Sequence, residues 1–339
     1  MFTFISILRA VATMLITNSH FGSLYPIPDL ATGGALGNSL FFLVSGFCLY
    51  KPKTDFKSWY LKRLIRLYTP LILFNLYVLL KTENVFKTLL FDFIFPQRYW
   101  FVCALIVMYP ILYYIIMHKF ERKQFLICTA ILCVLYASIY FMLDKQSYVV
   151  ETIGIYGIRF SYIFSFFLML LGAYLRKNVN KFIELVQDKK IAYWFVLNFV
   201  CYYIFLVTMQ KFKFLLKLQF VETLLCIGTV VTFFLLLIGM EKYLSKYKNK
   251  PIFKVFEFLG SLTLEIYIVQ FVLIDLINNL KLVFPLNCIV ALSAILVAAV
   301  ILNKVSTKVI KLIFKKEKQW QRGRTNILNR NFQSGLDRN

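Results

Sequence analysis

Ten separate runs of about 17–22 predominantly apolar residues decide what this chain can fold into. They fall at about 4–22, 36–51, 66–81, 99–117, 125–143, 157–175, 191–209, 219–240, 257–277 and 282–303. A soluble domain has one core to fill and no use for so many such runs, whereas ~20 apolar residues in a helix cross the ~30 Å hydrocarbon layer of a bilayer. Inside that layer every backbone N–H and C=O must find a partner in its own segment, which selects helices. The pattern therefore predicts an all-α, polytopic membrane bundle of about ten transmembrane helices. The runs at 36–51 and 66–81 are the least regular, being short or interrupted by polar residues. Segment 4–22 carries neither a basic n-region nor a small-residue cleavage pattern, so it is expected to stay in place as a helix.

The formal charge of +23 would suit a nucleic-acid binder, but the positions of the basic residues argue for topology instead. With ten spans and the N-terminus inside, both termini are cytoplasmic, and most of the 39 Lys and Arg fall in 51–66, 118–124, 176–190, 241–254 and 304–339. That is the positive-inside bias, and the partner it implies is the bilayer with its anionic headgroups. One outer cluster resists the pattern: Lys211, Lys213 and Lys217. Beyond an integral membrane domain over residues 1–303, the segment 304–339 begins as a basic amphipathic stretch. Lys304, Lys308, Lys311 and Lys315 alternate there with Val309, Ile310, Leu312, Ile313 and Phe314, as suits a helix lying on the inner leaflet. From Lys318 onward the composition predicts disorder.

Within the first run sit Arg9 and His20. A charged arginine in hydrocarbon costs at least ~2.5–3.5 kcal/mol on insertion scales, so it persists with a partner or a task. At about 100° per residue the two positions are about 1100° apart, only ~20° past three turns, and so share one helix face. Histidine accepts protons near neutral pH, which makes His20 a candidate general base. The ordinary alternative is an interfacial imidazole satisfied by headgroups. The stripe predicts a site spanning the depth of the membrane, with Arg9 toward the cytoplasm and His20 at the outer end.

Other candidates lie further along. Arg63 and Arg66 are spaced to share a face if their junction is helical, and two planar guanidinium forks suit phosphates arriving from the cytoplasm. Anchoring to lipid headgroups explains such a pair equally well. Ser45 and Gly46 bring small side chains into the second run, permitting close helix approach. Trp100 opens the fourth run where an aromatic belt belongs. Glu265 is an intramembrane carboxylate that must face the bundle, with Arg9 as one possible partner, and Glu222 poses the same question. Gln270 follows on the same run. The seven cysteines all lie in apolar runs, none with metal-ligand spacing, and read as packing residues. No phosphate-binding glycine loop, GxSxG elbow or HExxH helix is present.

Taken together these residues resemble the acyltransferase 3 family of multispanning membrane O-acyltransferases, of the type that modifies bacterial polysaccharides. The similarity covers roughly residues 4–275. It rests on Arg9 and His20, on FFLVSGF at 41–47, on Arg63 and Arg66 followed by Tyr68 and Pro70, on Tyr99-Trp100-Phe101, and on Ser261 to Gln270. The chain departs from the family pattern at Gln270 and Arg98, where relatives carry His. The resemblance implies transfer of an acyl group, most often acetyl, from acetyl-CoA or another acyl-CoA in the cytoplasm to a carbohydrate hydroxyl outside. It implies roles for His20 and Arg9 in catalysis and for Arg63 and Arg66 in holding the donor. Ser45, Trp100, Glu265 and Gln270 would line the bundle interior or the acceptor side. The competing expectation is a transporter or flippase of lipid-linked sugars, which would also need many spans and intramembrane charges.

Overall fold

The computed structural model describes residues 2–79, 96, 99–118, 120–145, 159–186 and 190–336. Among these the chain is helical, with no β-strand. In order, the helices are α1 (Thr3–Ser19), α2 (Gly34–Leu49), α3 (Phe56–Leu79), α4 (Trp100–Met117), α5 (Arg122–Met142), α6 (Tyr162–Lys177) and α7 (Val179–Leu185). They continue with α8 (Lys190–Lys211), α9 (Gln219–Gly239), α10 (Glu241–Lys246), α11 (Pro251–Ser261), α12 (Thr263–Asn279) and α13 (Leu286–Leu336). Arg98, one of the two departures from the family pattern, lies outside the described residues.

Every apolar run contains helix among the described residues. Among the described residues, six helices are by length and composition long and apolar enough to cross a membrane, and a seventh span appears if α11 and α12 are taken as one. The other runs form helices that are shorter, more polar or bent. At 17 residues α1 is only about 25 Å long at ~1.5 Å per residue. The 24 residues of α3 begin inside the expected cytoplasmic loop and carry Lys57, Lys62, Arg63 and Arg66 in their first half. The run at 257–277, expected as one helix, is broken after Ser261 and bent by 69°.

The break is well satisfied. Ser261 Oγ donates to the Phe258 carbonyl at 2.7 Å, Thr263 Oγ1 to the Gly260 carbonyl at 3.0 Å, and the Leu262 amide to Leu259 at 3.1 Å. Carbonyls that lose helical partners are thereby answered without water, as a bilayer interior requires. Gly260 lies against α1: a Cβ there would meet the Ser6 carbonyl oxygen at 2.9 Å and Arg9 Cβ at 3.2 Å.

α1 is the central element, packed against α2, α11 and α12. Its N-terminus is capped from far along the chain. Both oxygens of Glu241 accept from backbone amides, Thr3 at 2.8 Å and Phe4 at 2.9 Å. A carboxylate at a helix N-terminus answers orphan donors and complements the helix dipole. Beside it, Phe4, Phe47 and Phe234 join α1, α2 and α9 with ring centroids 5.4–5.6 Å apart.

α2 and α6 are in backbone contact, as the small residues of the second run predicted. A Cβ on Gly46 would lie 1.8 Å from the Met169 carbonyl oxygen, and one on Gly172 would lie 1.9 Å from that of Leu43. Only glycine fits at either place. At the far end, α13 passes through residue 304 without a break and remains helical to Leu336, where an irregular tail was expected.

Candidate active site: two adjoining cavities along the first helix

Arg9 lines an internal cavity of ≈ 140 Å³ together with Thr13, Ser45, Tyr109, Tyr267 and Gln270. The backbone explains how these meet. α1 supplies Arg9 and Thr13, the close approach of α2 brings Ser45, and the bend before α12 turns Tyr267 and Gln270 inward. Thr263, first residue after the bend, accepts from Thr13 at 3.1 Å and fixes α12 to α1. The guanidinium of Arg9 donates to Cys48 Sγ at 3.7 Å.

Gln270 is fully buried, and neither its amide oxygen nor its amide nitrogen has a hydrogen-bond partner. Leaving such groups unpaired costs about 1–3 kcal/mol each, so an orphaned amide on the wall of a cavity marks a place built to meet something else.

His20 follows the last residue of α1, with near-helical backbone angles (φ −96°, ψ −3°), so the face shared with Arg9 is kept. It lines a second cavity of ≈ 640 Å³ with Asn38, Trp100, Arg159, Tyr202 and Glu222. Its ring meets Phe271 edge-on at 4.6 Å. Trp100 belongs to this space and not merely to an aromatic belt: Arg159 stands over its ring at 5.2 Å, and the Tyr162 hydroxyl donates to its carbonyl at 3.0 Å. The buried carboxylate of Glu222 pairs with the Tyr202 hydroxyl.

The two cavities adjoin. Ile16 and Tyr267 line both, so the space of Arg9 and that of His20 share these two side chains as lining.

The arginine pair on α3 neighbours wall residues of the Arg9 cavity. Arg63 packs its guanidinium 4.1 Å from the Trp59 ring centroid and donates from Nη1 to the Trp59 carbonyl at 3.0 Å. Its Nε is buried and unpaired. Tyr109, a wall residue of the Arg9 cavity, lies within electrostatic reach of both Arg63 and Arg9. Arg66 is exposed, and the next residue, Leu67, lines the Arg9 cavity. Neither arginine lines the cavity itself.

Glu265 does not join this constellation. Its Oε1 accepts from Asn303 Nδ2 at 2.9 Å, so its partner is α13, and the pairing with Arg9 that charge suggested is not made. Arg159 and Tyr202 were not singled out by sequence. Glu222 carried the signal of an intramembrane carboxylate, but its neighbours could not be named from it.

The fold and these cavities define a multi-pass helical membrane protein whose first helix carries polar side chains into two adjoining internal spaces. Residues 2–304 match the acyltransferase 3 family, described as an acyltransferase domain, and the chain belongs to that family. It is a membrane acyltransferase. Comparison with curated proteins gives no match, and neither does comparison with solved structures.

Proposed function

We propose that the protein is an O-acyltransferase that moves an acetyl group from cytoplasmic acetyl-CoA to a hydroxyl of an exported or cell-surface polysaccharide. The observation that carries this reading is the adjacency of the Arg9 and His20 cavities across Ile16 and Tyr267. Two substrates approaching from opposite membrane faces would meet there. Arg63 and Arg66 hold the coenzyme A phosphates, and the acyl arm enters the space of Arg9, Ser45 and Gln270. His20 takes the proton from the sugar hydroxyl as its oxygen attacks the thioester carbonyl. The C–S bond breaks, and the departing coenzyme A thiolate takes up the proton that His20 accepted, which restores the neutral imidazole. Arg9 orients the thioester-bearing arm or stabilises the negative charge that develops on the carbonyl oxygen. Arg159, Trp100 and Glu222 offer the acceptor a cation, a ring face and a hydrogen-bonding carboxyl group, the usual means of holding a sugar.

A positioned base contributes about 10²–10⁴-fold to such a step. The test is the acetyl content of surface polysaccharide, read by proton NMR, in cells with the intact gene, a deletion, or His20→Ala. Acetyl signal lost in both altered strains, with the variant still present in the membrane, supports the assignment. Unchanged acetylation in the deletion, with altered polysaccharide export, would overturn it in favour of transport.

A further inference from the structure

The His20 end of the bundle carries features that the chemistry above leaves unused. A groove of ≈ 400 Å³ runs between α5, α6 and α9, lined by Leu132, Ala137, Phe167 and Leu224 among other apolar side chains. Because α5 is a peripheral helix with most side chains exposed, the groove faces hydrocarbon. It shares Phe164 and Thr223 with the cavity that holds His20. It also shares Tyr140, Phe141 and Phe220 with a recess of ≈ 850 Å³ whose charged residues are Lys145, Lys213, Lys217 and Asp144.

Lys213 and Lys217 belong to the outer cluster that breaks the positive-inside pattern. The Tyr140 hydroxyl donates to the Lys217 carbonyl at 2.8 Å, and Lys145 Nζ stands 5.1 Å from the Tyr140 ring. One tyrosine thus ties the cationic recess to the head of the groove.

An apolar groove in a membrane selects nothing alone, since lipid tails are as apolar as its own side chains. A basic recess alone accepts any anion. Joined end to end, the two fit an amphiphile with a phosphate head and a long chain. The shared wall at Phe164 and Thr223 gives whatever hangs from that phosphate a route to His20. We propose that this is the site of a lipid-phosphate-linked saccharide, which is the acceptor. Its chain lies in the groove, its phosphate on Lys145, Lys213 and Lys217, and its sugar in the His20 cavity. The sugar's role as acceptor rests on the function proposed above; the lipid site itself does not.

The test uses the full-length protein in zwitterionic nanodiscs with a long-chain polyprenyl phosphate, bound lipid being read by native mass spectrometry. Wild type is expected to retain it at least about tenfold better than phosphatidylglycerol. Lys213→Glu/Lys217→Glu and Ala137→Trp should each weaken retention by about tenfold or more, through reversed charge and a filled groove. Should Ala137→Trp fail to fold, Leu224→Trp probes the same groove from a residue that is 62% exposed. Retention unchanged in correctly folded variants would overturn the site. Phosphatidylglycerol held as tightly, and lost in the same variants, would reduce it to a general anionic-lipid contact and overturn the acceptor assignment. Binding is read without any acyl donor. Retention of polyprenyl phosphate, together with polysaccharide acetylation unchanged in the gene deletion, refutes the acyl-transfer reading and leaves the lipid site standing.

Discussion

Asn303 donates to Glu265 across the contact between α13 and α12 at 2.9 Å, so a buried carboxylate is held by an amide and not by Arg9. Glu265→Gln keeps an acceptor for that amide and should leave stability within about 1 kcal/mol of wild type. Glu265→Leu strands the Asn303 Nδ2 group and should cost about 1–3 kcal/mol. Thermal unfolding in detergent distinguishes the two, and equal loss in both would show that charge matters more than the hydrogen bond.

Gly46 and Gly172 face each other's helices with no room for a methyl group. Gly46→Ala or Gly172→Ala must push α2 from α6 and should cost about 3 kcal/mol or more, visible as loss of folded protein from the membrane. Gly22 is the control. A Cβ there finds its nearest neighbour at 3.5 Å, an ordinary contact, so Gly22→Ala should leave abundance unchanged.

Removing two unpaired polar groups ought to stabilise a protein. Gln270→Leu is therefore expected to melt at the same temperature as wild type or higher, with a gain of up to about 1 kcal/mol. Activity should nevertheless fall by about tenfold or more if the amide meets substrate, since a lost hydrogen bond is worth ~1.4 kcal/mol per decade of rate. Lower stability together with full activity would show that Gln270 is a packing residue.

The cap on α1 can be tested from the other end of the chain. Glu241→Ala leaves the Thr3 and Phe4 amides without acceptors and should cost about 1–2 kcal/mol. Glu241→Gln keeps one acceptor and should lose less. Hydrogen exchange at the first turn of α1 reads the effect directly, and unchanged protection in Glu241→Ala would refute the cap.

What the sequence revealed follows the range of the interactions concerned. Arg9 and His20 were legible as one stripe because helical phase is local arithmetic, and the stripe survives although His20 lies just beyond the helix. Gly46 was legible because a missing side chain has one main use between helices. The partner of Glu265 was not, for Asn303 lies 38 residues away and nothing local marks it. Tyr202 could not be picked from 21 tyrosines as the partner of Glu222. The break after Ser261 was missed for a different reason. Apolar residues continue across it, although the Gly260-Ser261 pair is of a kind that causes sharp kinks.

The Glu241 cap has a consequence for biogenesis. Chains are made from the N-terminus, so α1 enters the membrane before α10, α11 and α12 exist. Until then it lacks its cap, the Gly260 surface beside Arg9, and the wall that Tyr267 and Gln270 complete. Its arginine waits in the bilayer with only the part of its cavity wall that α2, α3 and α4 bring. The space around Arg9, set by the first helix, is thus closed only when late helices arrive. Nascent chains stalled before residue 241 should present Arg9 as an exposed charge, the kind of defect that membrane quality control is equipped to find.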